Sequence, residues 1–174
     1  MSISFYDASV QNYLQTVGAM RGVLDKGLAY CKELDVDPED IVERRVFADM
    51  NPFLFQILQI KFHSLGAIEA MMVGVLRPPS RERPKLTYAE LQTLLADTQK
   101  SLEAFTRDEI NALAGKDIVF EVGDNKRHFT CEGFLLSFSL PNFYFHATTA
   151  YDILRGRGVP IGKRDFLGQQ RLKT

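Results

Sequence analysis

The chain has 174 residues, 45% of them hydrophobic and 25% charged, with a net charge of −1. This is the make-up of one globular domain whose core needs no disulfide or metal staple. It excludes a disordered chain and a strongly basic nucleic-acid binder, and no apolar run approaches the roughly 18 residues of a membrane span.

The N-terminus MSISFYDASV has neither the basic nor the apolar region of a secretory leader. Cys31 and Cys131 have no metal-ligand or redox spacing and read as reduced thiols. The expectation is a single domain over 1–174, cytoplasmic, with no membrane or nucleic-acid partner.

Residues 5–32 predict a long helix. Val10, Tyr13, Leu14, Val17, Met20, Leu24, Leu28 and Cys31 form one apolar stripe at spacings of three and four. Asp37 and Pro38 open a short helical piece, with Glu39 and Asp40 placed for its positive end. A second long helix is expected over 50–75, started by Asn51-Pro52 and apolar on most sides, hence central. Three prolines in LRPPSRERPK then break helix.

The third helix, 87–106, has a capping box from Thr87 to Glu90, with Leu86 and Leu91 as the hydrophobic staple. A second box, Thr106 to Glu109, predicts one more turn. Then the period changes to two. Ile118, Phe120 and Val122 alternate with Val119 and Glu121, Gly123–Lys126 is turn chemistry, and Arg127–Glu132 returns. The last helix is interrupted at Pro141, restarts to Arg155 and ends at Gly156 and Gly158; the tail from 158 reads as ordered coil.

The expected fold is therefore all-α, a four-helix bundle with a small β-hairpin between helices 3 and 4. The connection 76–86 has eleven residues. Extended, it reaches roughly 36 Å, the length of the second helix. It therefore permits an up-down-down-up order as well as a plain antiparallel turn.

Gln56, Gln59, His63 and Gly66 make a polar but uncharged stripe on the second helix. It is either a half-exposed seam or one wall of a polar cavity. In the fourth helix, His146 shares a face with Phe143, Ala150 and Leu154, and Asn142 lies four residues before it. His146 is either a hydrogen-bonded core residue or a site residue. His128, beside Arg127 on a strand, reads as surface.

Phe138, Phe143, Tyr144, Phe145 and Tyr151 form an aromatic cluster suited to core and a subunit interface, or to ligand stacking. Gln56, Gln59, Asn142 and Tyr151 are the candidate cavity residues, and His63 and His146 the candidate metal ligands. His146 has neither a second histidine nor a carboxylate at i±4. Two imidazoles from different helices make a weak zinc or nickel site, so no bound metal is favoured over either ion. Lys163, Arg164 and Asp165 read as a solvated, salt-bridged tail.

The stretch LPNFYFHATTAYDILRGRGVPIGKRDFLG, 140–168, resembles the C-terminal signature of a family with a domain of unknown function in the DinB/YfiT-like superfamily. SFYDASV, ADMNPF and TYAEL are similar to other parts of that family. The resemblance implies an up-down-down-up four-helix bundle. In metal-binding members it also implies one histidine from helix 2 and an HxxxH pair from helix 4. His63 matches the first and His146 one of the pair; the third position holds Ala150, or Asn142 in the other reading.

Three functions stay open. One is a degenerate-site bundle that binds a small ligand or partner. Another is a divalent-metal-dependent enzyme of transferase or hydrolase type using His63 and His146. The third is a homodimeric scaffold. A cavity between the second and fourth helices requires the two imidazoles to come close.

Overall fold

The computed structural model describes residues 3–79, 82 and 84–173. The first expected helix is divided at Ser9 into α1 (Phe5–Ala8) and α2 (Val10–Glu33). Ser9 Oγ donates to the Phe5 carbonyl at 2.6 Å, a local bond that competes with the helical ladder. In α3 (Glu39–Val42), Asp37 accepts from the Glu39 N–H as its placement predicts.

The second expected helix starts three residues late and is broken once. Pro52 caps α4 (Phe53–His63), and α5 (Leu65–Val73) follows after a break at Ser64. Ser64 repeats the Ser9 pattern, with Oγ donating to the Ile60 carbonyl at 2.6 Å and ψ near −85° at both serines. Gly74 ends α5 at φ +81°, a conformation that costs a glycine nothing.

Val75, expected to end the second helix, and Leu76, expected to open the connection, are the short strand β1. Residues 78 and 79 continue the chain away from it as prolines. Of the expected connection 76–86, Ser80, Arg81 and Arg83 lie outside the described residues, as do Met1, Ser2 and Thr174.

Both capping boxes form, opening α6 (Tyr88–Glu103) and α7 (Arg107–Asn111). Glu39 of α3 also accepts from the Tyr88 N–H at 2.9 Å, satisfying another orphan donor of the α6 first turn. The hairpin is β2 (Asp117–Val122) and β3 (Asn125–Thr130), closed by Gly123 and Asp124 alone. Asn125 and Lys126, expected in the turn, pair with Val122 and Glu121 instead. β1 runs parallel to β2, with Val75 beside Val119 and Leu76 beside Phe120, so the sheet has three strands in the order β1-β2-β3.

The last helix starts earlier than expected and is not kinked apart. α8 (Cys131–Phe134) passes through a π-helical turn, Leu135–Ser139, into α9 (Leu140–Gly156). Pro141 has no N–H and crowds the preceding turn, and the wider π turn is one way a helix absorbs that. The tail is not coil: α10 (Lys163–Leu167) packs on α2, with Lys26 bridging Asp165 at 2.6 Å. Asp165 also accepts from the Gly162 N–H.

The chain is thus mostly helical with a small sheet. α2 packs on α6 and α9, and α4 packs on the same two. Tyr13, Met20 and Leu24 of α2, Phe53, Ile57 and Ile60 of α4, Leu91 of α6 and Phe143 of α9 fill the space between them. Among the described residues no helix is long and apolar enough to cross a membrane.

Candidate functional site

Two of the irregularities, the break at Ser64 and the π turn that ends at Ser139, meet at one place. The break at Ser64 makes His63 the last residue of α4, and its carbonyl accepts from Ser139 Oγ at 2.7 Å. Ser139 closes the π turn. Its one hydroxyl proton is spent on His63, so the Tyr13 hydroxyl, 2.6 Å away, donates to Ser139 Oγ. Burial pushes the Tyr13 hydroxyl well above its ordinary pKa, which keeps that donor protonated. This buried relay ties α2, the end of α4 and the π turn together.

His63 and His146 come together as the cavity requires. Their rings are nearly parallel, 12° apart, with centroids 5.7 Å apart. Both are buried, at 4% and 9% exposure. Burial pulls the His63 pKa down to about 3, helped by the neighbouring His146, and burial alone pulls His146 down to about 4. Both are therefore neutral near pH 7.

The His146 tautomer follows from its neighbour. Gln56 Nε2 donates to the Asn51 carbonyl at 2.9 Å, which turns Gln56 Oε1 toward His146 Nδ1 at 2.8 Å. That oxygen only accepts, so Nδ1 carries the proton and Nε2 is a bare lone pair. His63 Nδ1 is buried with no hydrogen-bond partner. A buried bare acceptor costs less than an orphaned N–H, so the proton belongs on His63 Nε2.

A cavity of about 490 Å³ opens on the pair. Phe55, Gln59 and Phe62 line it from α4, and Phe138 and Asn142 from the last helix. The sheet supplies Phe120, and Pro78 and Pro79 leave β1 beside it. Asn142 donates to the Phe138 carbonyl at 2.7 Å, so its Oδ1 remains as an acceptor.

Of the candidate cavity residues, Gln59 and Asn142 line the space and Gln56 acts one step back through His146. Tyr151 is not brought there. Its hydroxyl donates to the Ile161 carbonyl at 3.3 Å and its ring meets Phe166. Five residues beyond His146 is about 140° round the helix, which explains the divergence.

The profile of DUF1993, a domain of unknown function, matches residues 5–167. The chain belongs to this family. A crystal structure of a DinB family member protein from Shewanella denitrificans is similar to this DUF1993 chain at 26% identity. It covers 97% of this chain and 94% of that one, with a TM-score of 0.81. No curated protein matches the sequence.

The DinB resemblance makes a metal the first group to test. Two imidazoles sharing one ion through bonds of about 2.0–2.1 Å have ring centres roughly 5–6 Å apart, and 5.7 Å falls within that range. The donor count falls short. Among the described residues no group of three His, Cys, Asp or Glu side chains could hold an ion, whereas catalytic zinc sites use three protein ligands. The pair does not make a resident metal centre on its own.

The other singled-out residues lie elsewhere. His128 is exposed on β3, and Cys31 and Cys131 are buried free thiols whose pKa burial raises. Phe138 packs with Phe120, Phe129 and Phe134, and Phe143 with Tyr13, while Tyr144 and Phe145 face outward. Sequence reasoning missed Phe55, Phe62, Pro78, Pro79 and Phe120. Phe55 and Phe62 extend the Gln59–His63–Gly66 stripe by one position on each turn, and that signal was available.

Proposed function

We propose that this DinB-like domain binds a small uncharged molecule at the His63–His146 pair and that it does so without a resident metal. One observation carries the reading: two neutral imidazoles, one with its tautomer set by Gln56 and the other with a buried, unpartnered Nδ1, line one aromatic-walled cavity. His146 Nε2 accepts and His63 Nε2 donates. A hydroxyl satisfies both, since it donates to the first and accepts from the second. Phe55, Phe62, Phe120 and Phe138 favour an aromatic carrier for that hydroxyl.

Calorimetric titration with phenol tests this. Phenol should bind the wild type, and His146→Leu or His63→Leu should each weaken it about five- to tenfold, the worth of one hydrogen bond. Phenol binding that neither substitution alters would refute the site.

The 5.7 Å spacing favours a second reading, in which the pair contributes two ligands to a divalent ion completed by groups from a substrate, as a transferase or hydrolase would need. Its test is uptake of added zinc or nickel by the purified chain. Self-association as a homodimer rests on exposed Tyr144 and Phe145, the latter 57% accessible, and light scattering decides it. The up-down-down-up order belongs to the same proposal. It is supported by the shared packing of α2 and α4 on α6 and α9.

A further inference from the structure

We infer that the ligand is elongated and amphipathic. An uncharged hydroxyl-bearing ring sits against His63 and His146, and an apolar tail runs past Gln59 and Pro79 into a slot over Gly66. The inference rests on the reading of the imidazole pair given above and adds the shape and chemistry of what the pair binds.

A second cavity, of about 350 Å³, adjoins the first and shares Phe55, Gln59, Phe62 and Pro79 with it. Its own surface adds Leu58 and Gly66, so it is apolar where the first is mixed. Lys61, Glu69, Glu82 and Pro84 also line it, but all four are exposed and mark its rim. Among the described residues the first cavity has no acid or base apart from the two imidazoles. The polar end of the ligand therefore carries no charge, and the apolar end points toward solvent.

Gly66 is the decisive residue. It is the second residue of α5, and its φ is not in the left-handed region. A Cβ built there would meet Phe62 Cδ2 at 3.6 Å and the Lys61 carbonyl at 3.8 Å, ordinary contacts. Neither backbone conformation nor close packing demands glycine. Glycine at a position whose backbone alanine can adopt nonetheless costs stability, through the extra freedom of the unfolded chain. What its bare surface does at this position is keep the slot open.

The test is calorimetric binding of phenol and of 4-ethyl-, 4-butyl- and 4-hexylphenol to wild type, Gly66→Ala and Gly66→Leu. Melting curves establish that each variant is folded, and Gly66→Ala, with room for its methyl, guards against a misfolded leucine variant. In wild type, affinity should rise about fourfold per methylene while the tail fills the slot. In Gly66→Leu the rise should stop near ethyl with phenol itself unaffected, and Gly66→Ala should fall between. An identical rise in wild type and Gly66→Leu overturns the slot. So does a flat series in a wild type that binds phenol. Failure of phenol to bind wild type overturns the imidazole reading instead. Binding of 4-butylbenzoate as tight as that of 4-butylphenol overturns the uncharged head.

Discussion

Acidification should destabilise this protein well before its carboxylates titrate. An unfolded histidine takes up a proton near pH 6.5, but burial holds His63 to about 3 and His146 to about 4. Below pH 6.5 the unfolded state thus binds more protons than the folded one, and stability falls as pH falls. The loss is absent above pH 6.5 and complete only near pH 3 to 4. Between pH 7.5 and 5.0 each histidine contributes about 2 kcal/mol of loss, at 1.36 kcal/mol per pH unit below 6.5. Together that is about 4 kcal/mol, a large part of the roughly 5–15 kcal/mol a domain possesses. Asp7, Glu90, Glu109, Glu121 and Asp165 are held below the usual carboxylate range by their hydrogen bonds, so their contributions are lost at lower pH. Urea unfolding followed by circular dichroism at half-unit steps gives the curve. His146→Leu should remove about half of the wild-type slope over this window, and the double variant with His63→Leu nearly all of it. A double variant as pH-sensitive as wild type would show that the pair is not buried and neutral.

Ser139→Ala leaves the His63 carbonyl and the Tyr13 hydroxyl without their partner; at about 1–3 kcal/mol each it should cost roughly 2–6 kcal/mol in urea titration. Gln56→Leu removes the acceptor that sets the His146 tautomer and should weaken phenol by at most about five- to tenfold in calorimetry, the worth of the one hydrogen bond to Nε2. Thr87→Ala loses the α6 cap, costing about 1 kcal/mol in the same urea assay, and should leave phenol affinity unchanged. Chain equilibrated with excess zinc and then desalted should retain less than about a tenth of an equivalent by elemental analysis, because two imidazoles fall short of a catalytic site's three ligands.

Signals carried by neighbours in the chain were legible in the sequence. Both Thr-x-x-Glu boxes form, and the alternating run at 118–122 is a strand, because each depends on contacts a few residues apart. What escaped depends on distant partners or on a choice between local bonds. Val75 continues a helical apolar pattern and Leu76 stands in the proline-broken connection, and both become strand only because β2 lies alongside. Ser9 and Ser64 sit inside periodic segments, and nothing local says that their hydroxyls will turn back to carbonyls four residues earlier and break the helix.

The site divides in the same way. Gln59 and His63 share a helical face, and so do Asn142 and His146; both pairs end up lining the cavity. Phe120, Pro78 and Pro79 reach it only through the parallel pairing of β1 with β2, which is non-local. Tyr151 was grouped with His146 as an aromatic neighbour in sequence, but helical geometry carries it to the α10 side.

The measurement closest to the central claim is a nitrogen-detected NMR spectrum of the histidine rings at pH 7, recorded with and without phenol. The account predicts neutral imidazoles at both His63 and His146. His146 should carry its proton on Nδ1 and His63 on Nε2, and both Nε2 signals should move when phenol is added. An imidazolium at either position, a His146 proton on Nε2, or Nε2 signals that ignore phenol would contradict it.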